Sequence, residues 1–146
     1  MAVDPASLLK PINHNSVTGN VLIFTWTVPT DTENKKLVFK VELDTVSPIS
    51  SSNTNYKKYE SRLVDNANQG MWQVKNGSGT YITLPSGGID STYYGRDARC
   101  ILRKQNDYVY PDLNTTWYWQ ISASNGISQL SVFNVAIFAQ NSFDAA

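Results

Sequence analysis

Val21-Leu22-Ile23-Phe24-Thr25-Trp26-Thr27-Val28 decides how this chain folds. Successive side chains of an extended strand point to opposite faces. One face of the segment therefore carries Leu22, Phe24, Trp26 and Val28, and the other carries Val21, Ile23, Thr25 and Thr27. Large apolar groups recurring at every second position mark a strand with one face turned to a core.

The same signal recurs outward from this stretch. Leu37, Phe39, Val41 and Leu43 alternate with Lys36, Val38, Lys40 and Glu42. Trp117, Trp119, Ile121 and Ala123 alternate with Tyr118, Gln120 and Ser122. Residues 5–15 read as an edge strand, because Pro5 and Pro11 lack the N–H that a central strand needs. Residues 47–55 are a loop by composition, and 56–65 read as an edge strand or one turn of helix, with strand the preferred reading. Residues 71–74 and 80–84 form two short strands around Asn76-Gly77, a hairpin signal because both positions tolerate positive φ. Strands are also expected at 98–103 and 129–139, the latter with Phe133, Val135 and Ile137 on one face and a frayed tail from Gln140 onward. No helical periodicity extends over a stretch of roughly ten residues.

The chain has 146 residues, enough for a single domain spanning residues 1–146. Hydrophobic residues make up 41% and aromatics 12%, which separates it from disordered chains. Twelve basic residues balance twelve acidic ones, so nucleic acid and anionic membrane surfaces are not expected partners. A single cysteine, Cys100, excludes an internal disulfide. The N-terminal residues show no basic stretch leading into an apolar run, so no signal peptide is expected. No apolar segment is long enough for a transmembrane helix, so no membrane insertion is expected.

Three segments resemble fibronectin type III and immunoglobulin-like domains. Phe24-Thr25-Trp26-Thr27-Val28-Pro29-Thr30-Asp31 is similar to the second strand, where a buried tryptophan precedes a proline and an acidic turn. Leu37-Val38-Phe39-Lys40-Val41-Glu42-Leu43 resembles the third strand. Thr115-Thr116-Trp117-Tyr118-Trp119-Gln120-Ile121-Ser122-Ala123-Ser124-Asn125-Gly126 resembles the sixth, with Phe133-Asn134-Val135 after it in the last. The resemblance covers residues 5–45 and 111–139 and implies an all-β, antiparallel two-sheet sandwich. Residues 46–110 exceed what a minimal member of ~100 residues requires, and imply extended central loops or an added hairpin.

Catalytic signals are sparse. His14 is the sole histidine and lies in a polar turn, so a Ser-His-Asp triad has no base elsewhere. One cysteine and one histidine cannot supply a zinc cluster. Asp31, Glu33, Asp65 and Asp90 are loop acids without the spacing of a calcium loop. Gly77-Ser78-Gly79 and Ser86-Gly87-Gly88 lack the Gly-Lys-Ser/Thr of a P-loop and read as turns. Asn76-Gly77-Ser78 and Asn114-Thr115-Thr116 match the glycosylation pattern, read as coincidence without an export signal. Cys100 lies among Arg96, Arg99, Arg103 and Lys104, but free cysteine is most often a small buried side chain. No enzyme activity and no cofactor are expected.

Binding signals are stronger. Tyr93-Tyr94-Gly95-Arg96-Asp97-Ala98-Arg99 mixes aromatics with cations, the residue types that anchor interfaces. Trp72, Tyr81, Tyr93 and Tyr94 are the candidate platform for a sugar, with Arg96 and Arg99 beside them, although Trp72 equally suits a core. By analogy, a sandwich of this type without an export signal is expected to be a non-enzymatic accessory protein of a bacteriophage virion. It would sit on the capsid or tail and dock on other virion proteins. The alternative is a carbohydrate-binding or adhesin module that recognises host surface glycans.

Overall fold

The computed structural model describes residues 7–10, 15–18, 21–63, 71–85, 87–103, 115–126 and 136–142. His14, Asp65, Asn114, Phe133 and Val135 lie outside these. The described strands, in chain order, are β1 (Ser7–Lys10), β2 (Asn15–Thr18), β3 (Val21–Thr27), β4 (Val38–Asp44), β5 (Lys57–Glu60), β6 (Met71–Lys75), β7 (Tyr81–Thr83), β8 (Asp97–Arg103), β9 (Thr115–Ser124) and β10 (Ala136–Ser142). They form two five-stranded sheets, ordered β1-β3-β8-β6-β7 and β2-β10-β9-β4-β5. Every described strand pairing is antiparallel except that of β2 with β10, which is parallel. Residues 5–15, expected as one edge strand, contain β1 at the edge of the first sheet, and β2 at the edge of the second begins only at Asn15. β10 reaches Ser142, beyond the expected fraying point, because Gln140 is paired with both Thr115 and Val17.

The alternation read in the sequence is the alternation of burial. Leu22, Phe24 and Trp26 of β3 face Phe39, Val41 and Leu43 of β4 and Trp117, Trp119 and Ile121 of β9, all buried. Trp26 meets Phe39 at 5.4 Å between ring centroids, and Phe24 meets Trp119 at 4.9 Å, both tilted pairs that cross between the sheets. Such pairs each contribute about 0.5–1.5 kcal/mol beyond the area they bury. Trp26 Nε1 is buried without a partner among the described residues, which costs on the order of 1–3 kcal/mol. The surrounding rings fix that indole position despite the cost.

Several elements depart from the sequence reading for local reasons. Residues 56–65 divide: β5 ends at Glu60, and Ser61–Leu63 form a 3-10 turn. The Ser61 side chain ends the strand by accepting the Phe39 N–H at 2.8 Å. The β6–β7 hairpin forms as expected, but its turn does not use Asn76-Gly77 at positive φ. Gly79 takes that role at φ 80°, with Asn76 N–H donating to Thr80 O and Gly79 N–H to Asn76 O. This is a three-residue loop with a glycine bulge. An isolated backbone bridge ties the residue before β4 to the segment between β7 and β8. Leu37 and Ile89 exchange backbone hydrogen bonds at 2.8 and 3.0 Å.

Two carboxylates, both 0% exposed, organise the loops at the sheet ends. Asp44 accepts the N–H groups of Thr45, Val46 and Ser50, and Asn53 Nδ2 at 2.7 Å, which orders the 45–55 loop. Asp31 accepts the N–H groups of Glu33 and Lys35 and Asn125 Nδ2. Burial raises each carboxyl, yet the donors outweigh it and hold both below the usual carboxylate range.

Candidate interaction face

The outward positions of the first sheet assemble one continuous face. In β3 these are Ile23, Thr25 and Thr27; in β8, Asp97, Arg99 and Ile101; in β6, Met71, Gln73 and Lys75. Register sets them in rows. Ile23, Ile101 and Met71 lie opposite one another across three strands. Ile23 is 42% exposed and Met71 46%, while Ile101 between them is 6% exposed. A cross-strand row of three large apolar groups therefore stands beside the polar row of Thr25, Arg99, Gln73 and Thr83.

The next row is Thr25, Arg99, Gln73 and Thr83. The Arg99 guanidinium lies 3.7 Å from the Tyr81 ring centroid, and its Nε donates to Gln73 Oε1 at 2.7 Å. Lys75 also approaches the Tyr81 ring, at 5.4 Å, and pairs with Asp97 at 3.5 Å. The stack holds Arg99 flat against the sheet with its charge unmatched by an acid among these contacts. Exposed stacks of this kind contribute about 0.5–1 kcal/mol.

The six residues singled out in the sequence separate into three environments. Tyr81 and Arg99 meet on the outer face. Tyr93, Tyr94 and Arg96 form a corner beside it. The two tyrosines pack against the core, and Tyr94 Oη donates to the Asp31 carbonyl at 3.2 Å. Arg96 donates to the carbonyls of Thr92 and Asn76, which latches the hairpin turn to the corner. The chain here also exchanges backbone bonds with Val28 through Gly95 and Arg96. Trp72 belongs to neither group. It is 1% exposed and meets Trp26 edge-on at 5.6 Å. Its expected place in a sugar platform is therefore corrected: β6 turns Trp72 inward because Met71, Gln73 and Lys75 occupy the outward parity. The four aromatics do not form a coplanar exposed surface, and Arg99 already covers a face of Tyr81.

Cys100 lies inward on β8, opposite Phe24 and Trp72, and is fully buried. Burial pushes its thiol well above the usual range, so it stays protonated and unreactive. Arg99, its neighbour in sequence, faces the other side of the strand and does not activate it. Among the described residues no cluster of acids, cysteines and histidines is arranged to hold a metal ion, and no helix is long and apolar enough to cross a membrane.

Sequence reasoning missed Ile23 and Met71. The signal was present for Ile23: a large aliphatic group on the strand face opposite Leu22, Phe24 and Trp26. Met71 gave none, because its row neighbours are set by the pairing of β6 with β8. No protein-family model and no curated protein matches the chain.

Proposed function

We propose that this chain is a non-enzymatic interaction module of immunoglobulin-like topology, and that it docks on a protein lattice through the outer face of its first sheet. The observation that carries this is the Ile23–Ile101–Met71 row beside the Tyr81–Arg99 stack. Apolar groups bordered by an ordered tyrosine and arginine are the composition of an interface centre, whose anchors are enriched in these two types. The partner that fits is a protein surface offering an apolar contact and, beside it, a carboxylate for Arg99.

The finer fold assignment rests on strand order. β1-β3-β8-β6 over β10-β9-β4-β5 follows the A-B-E-D over G-F-C-C′ order of immunoglobulin domains. β7 extends the first sheet, and β2 adds to the second beside β10. Edge pairing is the weaker docking mode here. β7 has three residues, and β5 carries Lys57 and Lys58, both features that blunt an edge against strand addition.

A virion fits this reading, since a lattice of identical sites rewards a small module that binds by one face. The virion assignment itself remains the analogy drawn from the sequence, and the capsid or tail protein is the proposed partner. The test is quantitative mass spectrometry of particles purified from cells producing the chain. The expected result is a fixed ratio of this chain to a major virion protein, abolished by Ile23→Lys or Met71→Lys. Both positions are already part-exposed, so these variants are expected to melt close to the wild type. A chain that stays as a free monomer apart from particles, or lysine variants that retain full occupancy, would overturn the proposal.

A further inference from the structure

The outer face of the second sheet, which points away from the interaction face, holds an open cleft of about 240 Å³. Its side-chain lining is Val38, Lys40, Glu60, Arg62, Ser122 and Ser124, with the backbone at Phe39 and Ala123 behind them. Register builds it. Glu60, Lys40 and Ser122 form one cross-strand row over β5, β4 and β9, and Val38 and Ser124 form the adjacent row. The buried Ser61–Phe39 hydrogen bond anchors the turn that brings Arg62 to the rim.

The polar groups are organised but incompletely used. Arg62 Nε lies 3.4 Å from Glu60 Oε1, which orients the guanidinium, while its terminal nitrogens have no partner among the described residues. Ser122 is 5% exposed, yet its hydroxyl makes no hydrogen bond to the described residues. Ser124 Oγ accepts the Gly126 N–H and keeps its own proton to donate. Lys40 and Lys58 approach Glu42 and Glu60 at 3.7 and 3.8 Å. Among the described residues that line the cleft, Lys40 and Arg62 face the single carboxylate of Glu60, an excess of positive charge.

We propose that this cleft binds a monosaccharide bearing a carboxylate, of the hexuronic acid class. The ligand carboxylate takes the free fork of Arg62, a planar match that arginine makes with two parallel hydrogen bonds. Lys40 adds charge from the cleft floor. Ring hydroxyls satisfy Ser122 and Ser124 and donate to Glu60. That last contact selects the class. Inorganic phosphate carries its acidic P–OH groups on the same centre as its charge, so whatever meets Glu60 brings like charge with it; a sugar acid presents neutral ring hydroxyls to Glu60 at a distance from the carboxylate that Arg62 takes. The cleft size suits one ring, and Val38 supplies apolar contact beside the polar groups. The expected dissociation constant is on the order of 1 mM. Because the two outer faces are opposed, a chain docked by its first sheet leaves this cleft open to solvent.

The test is a titration of the ¹⁵N-labelled chain with glucuronate, followed by amide shifts, with glucose and inorganic phosphate as controls. Saturating shifts are expected around residues 38–40, 60–62 and 122–124, with glucose and phosphate producing none that saturate. Arg62→Ala is expected to weaken binding at least tenfold, and Arg62→Lys to weaken it partly, since the charge remains without the fork. Met71→Lys is expected to bind as the wild type does, which separates failure here from failure of the docking face. Arg62 is largely exposed, so its variants retain the fold, checked by an unchanged spectrum elsewhere. Absence of saturation, equal shifts with phosphate, or undiminished binding by Arg62→Ala overturns the assignment.

Discussion

Gly88→Ala tests the backbone bridge between Leu37, just before β4, and Ile89. Gly88 has φ of 101°, and a Cβ built on it would lie 2.7 Å from Leu37 O and 3.0 Å from Leu37 C. Those are backbone atoms, and they are held in place because Leu37 and Ile89 exchange two hydrogen bonds. The alanine therefore meets two penalties. An L side chain at positive φ costs about 1–2 kcal/mol. Relieving the clash opens the Leu37–Ile89 bridge, at about 1 kcal/mol for each hydrogen bond. The sum is about 3–4 kcal/mol, which for a domain of this size lowers the melting temperature by roughly 10 °C. Gly87→Ala is the control, since nothing lies within 4 Å of its Cβ and its φ is not positive. It is expected to fall within about 0.5 kcal/mol of the wild type. The assay is thermal and urea unfolding followed by circular dichroism on both variants. A Gly88→Ala protein melting within about 2 °C of the wild type would show that the bridge does not constrain the fold.

Trp72→Ala is expected to cost about 3–5 kcal/mol in urea unfolding, whereas Tyr81→Ala costs under about 1 kcal/mol, because one ring fills the core and the other lies on the surface. Cys100 should resist a thiol reagent such as Ellman's in the native protein and react once urea unfolds the chain; native reactivity would contradict its burial. The carboxyls of Asp31 and Asp44 lie below their ordinary value when folded, so their contribution is present above the unfolded pKa of about 4 and is lost as pH falls through the folded values. Melting temperature should therefore drop steeply on acidification below about pH 4, and Asp31→Asn should flatten part of that slope. Tyr56 and Tyr94 are raised, chiefly by burial, so their contribution is lost as pH rises above about 10, visible as alkaline destabilisation.

The two-residue period of 22–28, 37–43 and 117–123 was legible because burial on one face leaves a chemical trace at every second position. That pattern determined the all-β class and the inward places of Trp26, Trp117 and Trp119, while the turn residues around Asn76-Gly77 marked the hairpin between β6 and β7. The burial of Cys100 was readable too, since a free cysteine is most often a small buried side chain. Parity is a property of one strand alone, so it can be read before any strand has a neighbour.

Features that depend on partners distant in the chain were decided by the tertiary structure. Trp72 suited core or surface until the pairing of β6 with β8 placed it opposite Cys100. Ile23, Ile101 and Met71 become one patch only because three strands come into register. Glu60, Lys40 and Ser122 likewise share a row although 82 positions separate Lys40 from Ser122 in the numbering. The placing of β1 and β2 in different sheets has the same origin. A strand's own sequence states which of its faces is oily, but hydrogen bonding to remote strands chooses its neighbours, and both proposed surfaces are made of neighbours.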